Sequence, residues 1–245
     1  YVGPVVVDGA HVVIDGAGRD EVVLDLVEGE TGVLVTADHV TVAGVTFRGG
    51  QFGVRFLAAA DGRVVACGGQ GQRGPVNLPA FLVAMENSHR ITVRDLVADD
   101  IQGGHGKDDY HGVAAPAAGA VWAAGSSAIE VTGLEATNVT AGRGGHATSG
   151  YGNGSIGGLA AGVLATAGSL NLRVSGLVAH GLIGGAAGNR GGNSGTVYGS
   201  GGPAAAVAAI DSSGLILEAN LAWALTGGTG QTGAHHGAPA CVRAS

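Results

Sequence analysis

The feature that most constrains the fold is a cassette of two short strands that returns along the chain. It reads GVLVTADHVTVAGVTF from Gly32, AFLVAMENSHRITVRDLVADDI from Ala80 and GAVWAAGSSAIEVTGLEATNV from Gly119. It returns as GVLATAGSLNLRVSGLVAHGL from Gly162 and AVAAIDSSGLILEANLAWAL from Ala206. Each copy holds a short apolar strand, a small polar turn, then an alternating strand that stops near a glycine or its substitute. Period-two alternation rich in Val and Ile dictates strands, and no segment carries the 3.6-residue period a crossover helix would need. The turn residues Asp38, Asn87-Ser88, Ser126-Ser127, Ser169 and Ser212-Ser213 have side chains that bond locally to a bent backbone. Repeats that stack on copies of themselves form a solenoid.

The alignment sets a register. Val42, Val93, Val131, Val174 and Leu217 occupy one inward position, and Leu96, Leu134, Leu177 and Leu221 the next, past a bend. About seven rungs are expected, starting near residues 1, 31, 51, 80, 119, 162 and 206, with an eighth opening at Ala240. The whole chain, 1–245, then reads as one domain. From the fourth rung onward each cassette is followed by a glycine-rich excursion at the same point: 102–118, 141–161, 184–205 and 227–240. These hold much of the chain's 49 glycines. No strict Gly-X-Y period is present, which excludes collagen. Insertions at one corner of every rung gather on one side of a solenoid, often its binding side. Backbone hydrogen bonds between stacked, polyproline-II-like loops are expected to order them, because so much glycine otherwise costs heavily in chain entropy.

The stretch VVIDGAGRDEVVLDL (12–26), followed by GVLVTADHVTVAGVTFRGG (32–50), resembles the opening rungs of the pectate-lyase-like superfamily. That resemblance implies an all-β fold, a right-handed parallel β-helix. It leaves the activity open, since the superfamily includes lyases, hydrolases, phage tailspikes, adhesins and surface proteins. The excursions also resemble those of glycine-rich bacterial surface β-helices such as chlamydial polymorphic outer-membrane proteins. Their GGAI and FxxN tetrapeptides are absent here, with GGLA (157–160) and GGPA (201–204) the nearest echoes.

The densest polar cluster is DDIQGGHGKDDYHG, residues 99–112. Asp99, Asp100, His105, Asp108, Asp109 and His111 form an oxygen-rich set with two imidazoles, a chemistry that suits calcium or a transition metal. No recognised calcium-loop spacing is present, so the competing reading is a solvated loop tip with no cofactor. Resemblance to polysaccharide lyases would add a base, for which Lys107 and Arg143 are the candidates. Polygalacturonases carry an NTD, a DD and a GHG on successive rungs. Here Asp99-Asp100 and Gly104-His105-Gly106 are three residues apart, while NTD and RIK are missing. Histidines recur in the excursions at His105, His146 and His235-His236, with Asn193 in the third. They are expected to act as hydrogen-bonding side chains. Tyr110, Tyr151 and Tyr198 fall late in three successive excursions, where they would stack on sugar faces or cover one another. No G-x-S-x-G, Walker, CxxC or HExxH motif occurs.

Charge narrows the partners. A net charge of −7 disfavours nucleic acid and anionic lipid. Residues 1–111 hold fifteen Asp/Glu against eight Lys/Arg, and residues 112–245 hold four against four. With 45% hydrophobic and 13% charged residues, the chain is not a solvated disordered one. No apolar run reaches the length of a membrane-spanning helix. Cys67 and Cys241 read as separate buried thiols, and no signal peptide is expected within the chain. The first and last segments, YVGPVVVDG and ACVRAS, both read as strand with no polar cap. The expected partners are therefore further copies, or the rest of a longer β-helix, together with glycan. The functional expectation is a non-catalytic extracellular or cell-surface structural or adhesive protein. The alternative is a carbohydrate-active enzyme, a lyase or hydrolase working near residues 99–112, or a glycan-binding module.

Overall fold

The structure is a computed structural model describing residues 4–110, 112–148, 154–189, 199–230 and 239–244. Its strands follow one another in threes. The first rung is β1 (Val5–Val7), β2 (Val13–Asp15) and β3 (Val22–Leu26), and the second is β4 (Thr31–Val35), β5 (Thr41–Ala43) and β6 (Val45–Gly49). The third is β7 (Phe52–Leu57), β8 (Arg63–Val65) and β9 (Gly68–Gln70), and the fourth is β10 (Ala80–Glu86), β11 (Thr92–Arg94) and β12 (Val97–Asp99). The fifth is β13 (Ala118–Ala124), β14 (Ser127–Thr132) and β15 (Glu135–Thr137), and the sixth is β16 (Ala160–Thr166), β17 (Leu170–Ser175) and β18 (Val178–His180). The seventh is β19 (Ala204–Ala209), β20 (Ile216–Glu218) and β21 (Leu221–Trp223), and β22 (Pro239–Ala244) opens an eighth.

Like strands of successive rungs pair in parallel, giving sheets of eight, seven and seven strands. The fold is therefore an all-β parallel β-helix. Sheet A starts at β1, sheet B at β2 and sheet C at β3. The cassette seen in sequence is sheet A plus sheet B, with sheet C following after the bend. The strands that receive the excursions begin at Ala118, Ala160, Ala204 and Pro239, up to two residues inside the ranges read as loop, because small alanines there already join the ladder.

The core is a set of columns. Ile14, Val42, Val64, Val93, Val131, Val174 and Leu217 lie on one line through sheet B. Val42, Val64, Val93, Val131 and Val174 are fully buried, and Ile14 and Leu217 at the two ends are partly so. Ile14 and Val64 extend the column beyond the five positions expected from the sequence. Sheet A carries a valine column of Val5, Val33, Val54, Val83, Val121, Val163 and Val207, and Val242 of β22 is in register with Val207.

The bend from sheet B to sheet C uses one left-handed residue per rung. It is glycine at 44, 133 and 176, but Ala66, Asp95 and Ala219 take the same positive φ, at the steric cost of a Cβ. The residue after it is buried as Val45, Cys67, Leu96, Leu134 and Leu177. Leu221 does not continue this column. It aligns with Val178 and points outward, 58% exposed, and the column position falls to Asn220. Asn220 accepts a bond from Leu177 N–H at 2.9 Å and donates to Val174 O at 3.2 Å, so a polar side chain ends the aliphatic stack.

The corner from sheet A to sheet B is stitched by buried serines. Ala59 N–H donates to Ser88 Oγ, Ser88 N–H to Ser126 Oγ and Ser126 N–H to Ser169 Oγ, at 3.2, 3.1 and 3.3 Å. Cys67 is a buried free thiol, and burial pushes its pKa up. Cys241 lies in β22, five rungs away, too far for a disulfide.

Candidate functional site

The described parts of the excursions form a second layer held largely by backbone hydrogen bonds. Their outgoing arms stack rung on rung, as in Gly103 N–H to Thr140 O, Ala141 N–H to Ile183 O and Gly184 N–H to Thr226 O. The return arms do likewise, as in Ala115 N–H to Ile156 O and Gly157 N–H to Ser200 O. Outgoing and return arms are then joined in a zigzag. Gly158 N–H donates to Gly142 O, Gly185 to Gly158, Gly202 to Gly185 and Gly228 to Gly202, each at 2.8 or 2.9 Å. Glycine is required because a Cβ at 142, 185 or 228 would overlap the carbonyl oxygen of the arm beside it. The expectation of loops ordered by one another's backbone thus holds across the described residues.

Within this layer the residues of the 99–112 cluster are distributed along the chain's course rather than gathered. Asp99 closes β12 and accepts from Thr137 Oγ1 at 2.6 Å and Asn138 Nδ2 at 2.8 Å. The Thr137 hydroxyl is the main reason its carboxyl sits below the usual range. The Asn138 amide, the Asp100 N–H and nearby His180 act in the same direction, against partial burial. Asp100 pairs with Arg73, Nη2 to Oδ2, at 2.6 Å. Asp108 Oδ1 accepts from His146 N–H in the next excursion, and Asp109 Oδ1 from Tyr110 N–H, both at 2.7 Å.

The histidines play the same part. His105 Nδ1 accepts from Arg143 N–H at 3.2 Å, and His146 Nδ1 from Asn189 N–H at 2.6 Å, while His146 Nε2 meets the Arg143 guanidinium. Side chains of one excursion thus serve backbone donors of the next. Arg143 is engaged within the layer, and Lys107 lies exposed beside Gly106. Asp99-Asp100 and Gly104-His105-Gly106 belong to one rung and its own loop, so the polygalacturonase spacing across rungs is not reproduced. Among the described residues no group of three or more His, Cys, Asp or Glu side chains is gathered as a metal site. Tyr110 is 53% exposed. His111, Tyr151, Tyr198, Asn193 and His235-His236 lie outside the described residues.

What the stacking does assemble is an outward row on sheet C: Asp25, Arg48, Gln70, Asp99, Thr137, His180 and Trp223. Its first two members form an ion pair at 3.1 Å. Its last two stack face to face, with ring centroids 4.8 Å apart and an interplanar angle of 13°. Trp223 keeps 47% of its surface exposed. From Gln70 to Trp223 the row spans four rung steps, about 19 Å, and carries hydrogen-bonding groups together with a half-exposed aromatic ring. Aromatic faces of this kind pack against apolar ring faces while polar neighbours take hydroxyls. The sequence held the signal for this row: every member from Arg48 onward stands four residues after the bend residue of its rung.

No protein-family model and no curated protein matches the chain. Among solved structures it is similar to the A-module of the mannuronan C-5 epimerase AlgE6 of Azotobacter vinelandii. The identity is 14%, with 99% of this chain and 88% of that chain covered and a TM-score of 0.16. It is also similar to tailspike protein 3 of bacteriophage CBA120, at 12% identity over 87% of this chain and 48% of that one, with a TM-score of 0.15. At these scores neither likeness bears on fold or function. The β-helix is established by its own ladders.

Proposed function

We propose that this chain is a non-catalytic structural or adhesive β-helix of the cell exterior, whose outer rows meet glycans. The observation that carries the reading is the employment of the acidic cluster. Asp99, Asp100, Asp108 and Asp109 each hold a neighbouring side chain or backbone amide. Glycosidic cleavage needs two carboxylates facing each other across a bond, one of them able to give up a proton. Carboxylates committed to hydrogen bonds, those of Asp99, Asp100 and Asp108 across rungs and that of Asp109 within its own loop, serve cohesion, and the sheet C row that includes Trp223 supplies a contact surface. Among the described residues, β1, β2 and β3 at one end and β20, β21 and β22 at the other each pair on one side only. Further copies, or further rungs of a longer polypeptide, are the partners such edges accommodate.

The competing reading is a polysaccharide lyase or hydrolase using the same aspartates. A panel of acidic and neutral polysaccharides, assayed for new reducing ends and unsaturated products, decides between them. No product is expected from the wild type, and a D100N/D108N/D109N variant, which leaves Asp99 of the sheet C row in place, is expected to retain the same glycans in affinity electrophoresis. Cleavage by the wild type that this variant abolishes overturns the proposal.

A further inference from the structure

The corner from sheet A to sheet B turns on one left-handed residue per rung. The first four rungs fill it with His11, His39, Asp61 and Arg90, at φ of 62°, 57°, 54° and 54°. Backbone bonds set these residues one above another: His11 N–H donates to Asp38 O, His39 to Ala60 O and Asp61 to His89 O, at 3.2, 2.9 and 3.1 Å. Later rungs place Ala128, Asn171 and Gly214 there, with no imidazole and no charge. The two histidines are exposed, and their rings lie face to face, centroids 4.6 Å apart and planes 4° from parallel. His39 Nε2 approaches Asp61 Oδ2 at 3.9 Å. Arg90 donates to both oxygens of that carboxylate, Nε to Oδ1 at 2.6 Å and Nη2 to Oδ2 at 2.8 Å. This hydrogen bonding is the main reason the Asp61 carboxyl sits below the usual range.

We propose that His11 and His39 form a two-imidazole site for a divalent transition metal, copper(II) above all. Neutral imidazole suits copper, nickel and zinc, and copper(II) heads their order of affinity. Two nitrogens each about 2 Å from one metal stand about 3 Å from each other. Parallel rings from successive rungs reach that separation by tilting their edges together, and both are exposed enough to move. Asp61 forms the outer part of the site. Its carboxylate beside Nε2 keeps the proton on that nitrogen and leaves the Nδ1 lone pair of His39 for the metal, the carboxylate–histidine–metal order. Arg90 fixes Asp61 in turn. No third His, Cys, Asp or Glu side chain joins the pair among the described residues, so water completes the shell. Copper(II) accepts such a mixed nitrogen and oxygen set in a tetragonal arrangement, whereas a structural zinc centre takes four protein ligands. The site is separate from the sheet C row and from residues 99–112, and does not depend on the glycan-contact reading.

The test is titration with Cu2+ alone in a non-coordinating buffer at neutral pH, followed by calorimetry and electron paramagnetic resonance. The proteins are wild type, H11N, H39N, D61N and H235N/H236N. Asparagine is chosen at 11 and 39 because it accepts a left-handed backbone. Wild type should bind one Cu2+ with coupling to two imidazole nitrogens. D61N should weaken that binding about tenfold, and H11N or H39N, which each remove a ligand, by more. H235N/H236N, which changes a histidine pair adjacent in sequence, should leave the two-nitrogen signal in place. Ni2+ and Zn2+ should bind more weakly than Cu2+, and excess Ca2+, which takes oxygen ligands, should not compete. Circular dichroism of H11N and H39N should match wild type.

Absence of Cu2+ binding overturns the inference, as does binding that H11N and H39N leave intact. A wild-type spectrum showing one coupled nitrogen or none overturns it without recourse to any variant. Displacement by Ca2+, or loss of the signal in H235N/H236N, overturns it too. Indifference to D61N overturns the part assigned to Asp61.

Discussion

Replacing Gly185 by alanine places a methyl group inside the glycine layer, and the structure gives the size of the consequence. Gly185 N–H donates to Gly158 O at 2.9 Å, and Gly185 O accepts from Gly202 N–H at 2.8 Å. An added Cβ would lie 2.7 Å from the Gly158 nitrogen and would overlap the Gly142 carbonyl. All of these neighbours are backbone, so no side chain can rotate away. Relief of the nitrogen contact alone requires about 3.5 Å, a shift of at least about 0.8 Å, and the carbonyl overlap demands more. The same shift carries a 2.9 Å bond out of hydrogen-bonding range.

Two buried amide pairs are then left unmade, each costing about 1–3 kcal/mol, so the variant should lose about 2–6 kcal/mol. Gly9→Ala is the control, since its Cβ would meet only Val12 Cγ2, at 3.9 Å, and it should fall within about 0.5 kcal/mol of wild type. Urea unfolding followed by circular dichroism gives both numbers, and amide hydrogen exchange reports whether Gly202 loses protection. A G185A protein as stable as G9A, with Gly202 still protected, would refute the claim that backbone bonds between arms hold this layer together.

Two further outcomes follow from the corner and from Asp99. Ser126→Ala removes the acceptor of the buried Ser88 N–H and the donor to Met85 O. It should cost about 1–3 kcal/mol in urea unfolding, and S126T, which keeps the hydroxyl, should recover part of that loss. Asp99, held below its unfolded pKa by Thr137, contributes stability above the ordinary aspartate pKa of about 3.9. That contribution is lost as pH falls through the folded value. Thermal melts from neutral to strongly acidic pH should show D99N less stable than wild type at neutrality and converging with it in acid; a constant gap between them would contradict the assignment.

How much of this was legible in the sequence depended on whether a side chain repeats. Val42, Val93, Val131 and Val174 announced their column because every rung must offer the core a similar volume. Ser88, Ser126 and Ser169 announced the corner because each turn must satisfy the same amide. The glycine excursions were legible for a related reason, since only a residue without Cβ lets backbones approach this closely. The columns broke where one rung met a need its neighbours do not share. Asn220 replaces leucine where the stack ends, which displaced Leu221 outward against expectation. Ala66, Asp95 and Ala219 occupy a left-handed bend that glycine marks in the second, fifth and sixth rungs, so glycine alone does not locate it.

By itself, then, the sequence determined the period, the strand character and the inward residues, because burial and backbone pairing impose the same demands on every rung. Only the tertiary structure decided what the polar residues do. Asp99 and Asp100 are adjacent in the chain, yet one bonds the rung above and the other Arg73 of the rung below. Gln70, Asp99, Thr137, His180 and Trp223 are scattered over the sequence, yet stacking lines them up at one step per rung. Arg63 and Arg94 look like the other arginines in sequence, yet among the described residues they join no ion pair, unlike Arg48, Arg55, Arg73, Arg90 and Arg173. In a solenoid the neighbours of an outward side chain come from the rungs above and below. The chain sets its own spacing of those rungs, and the stack alone sets which charges meet.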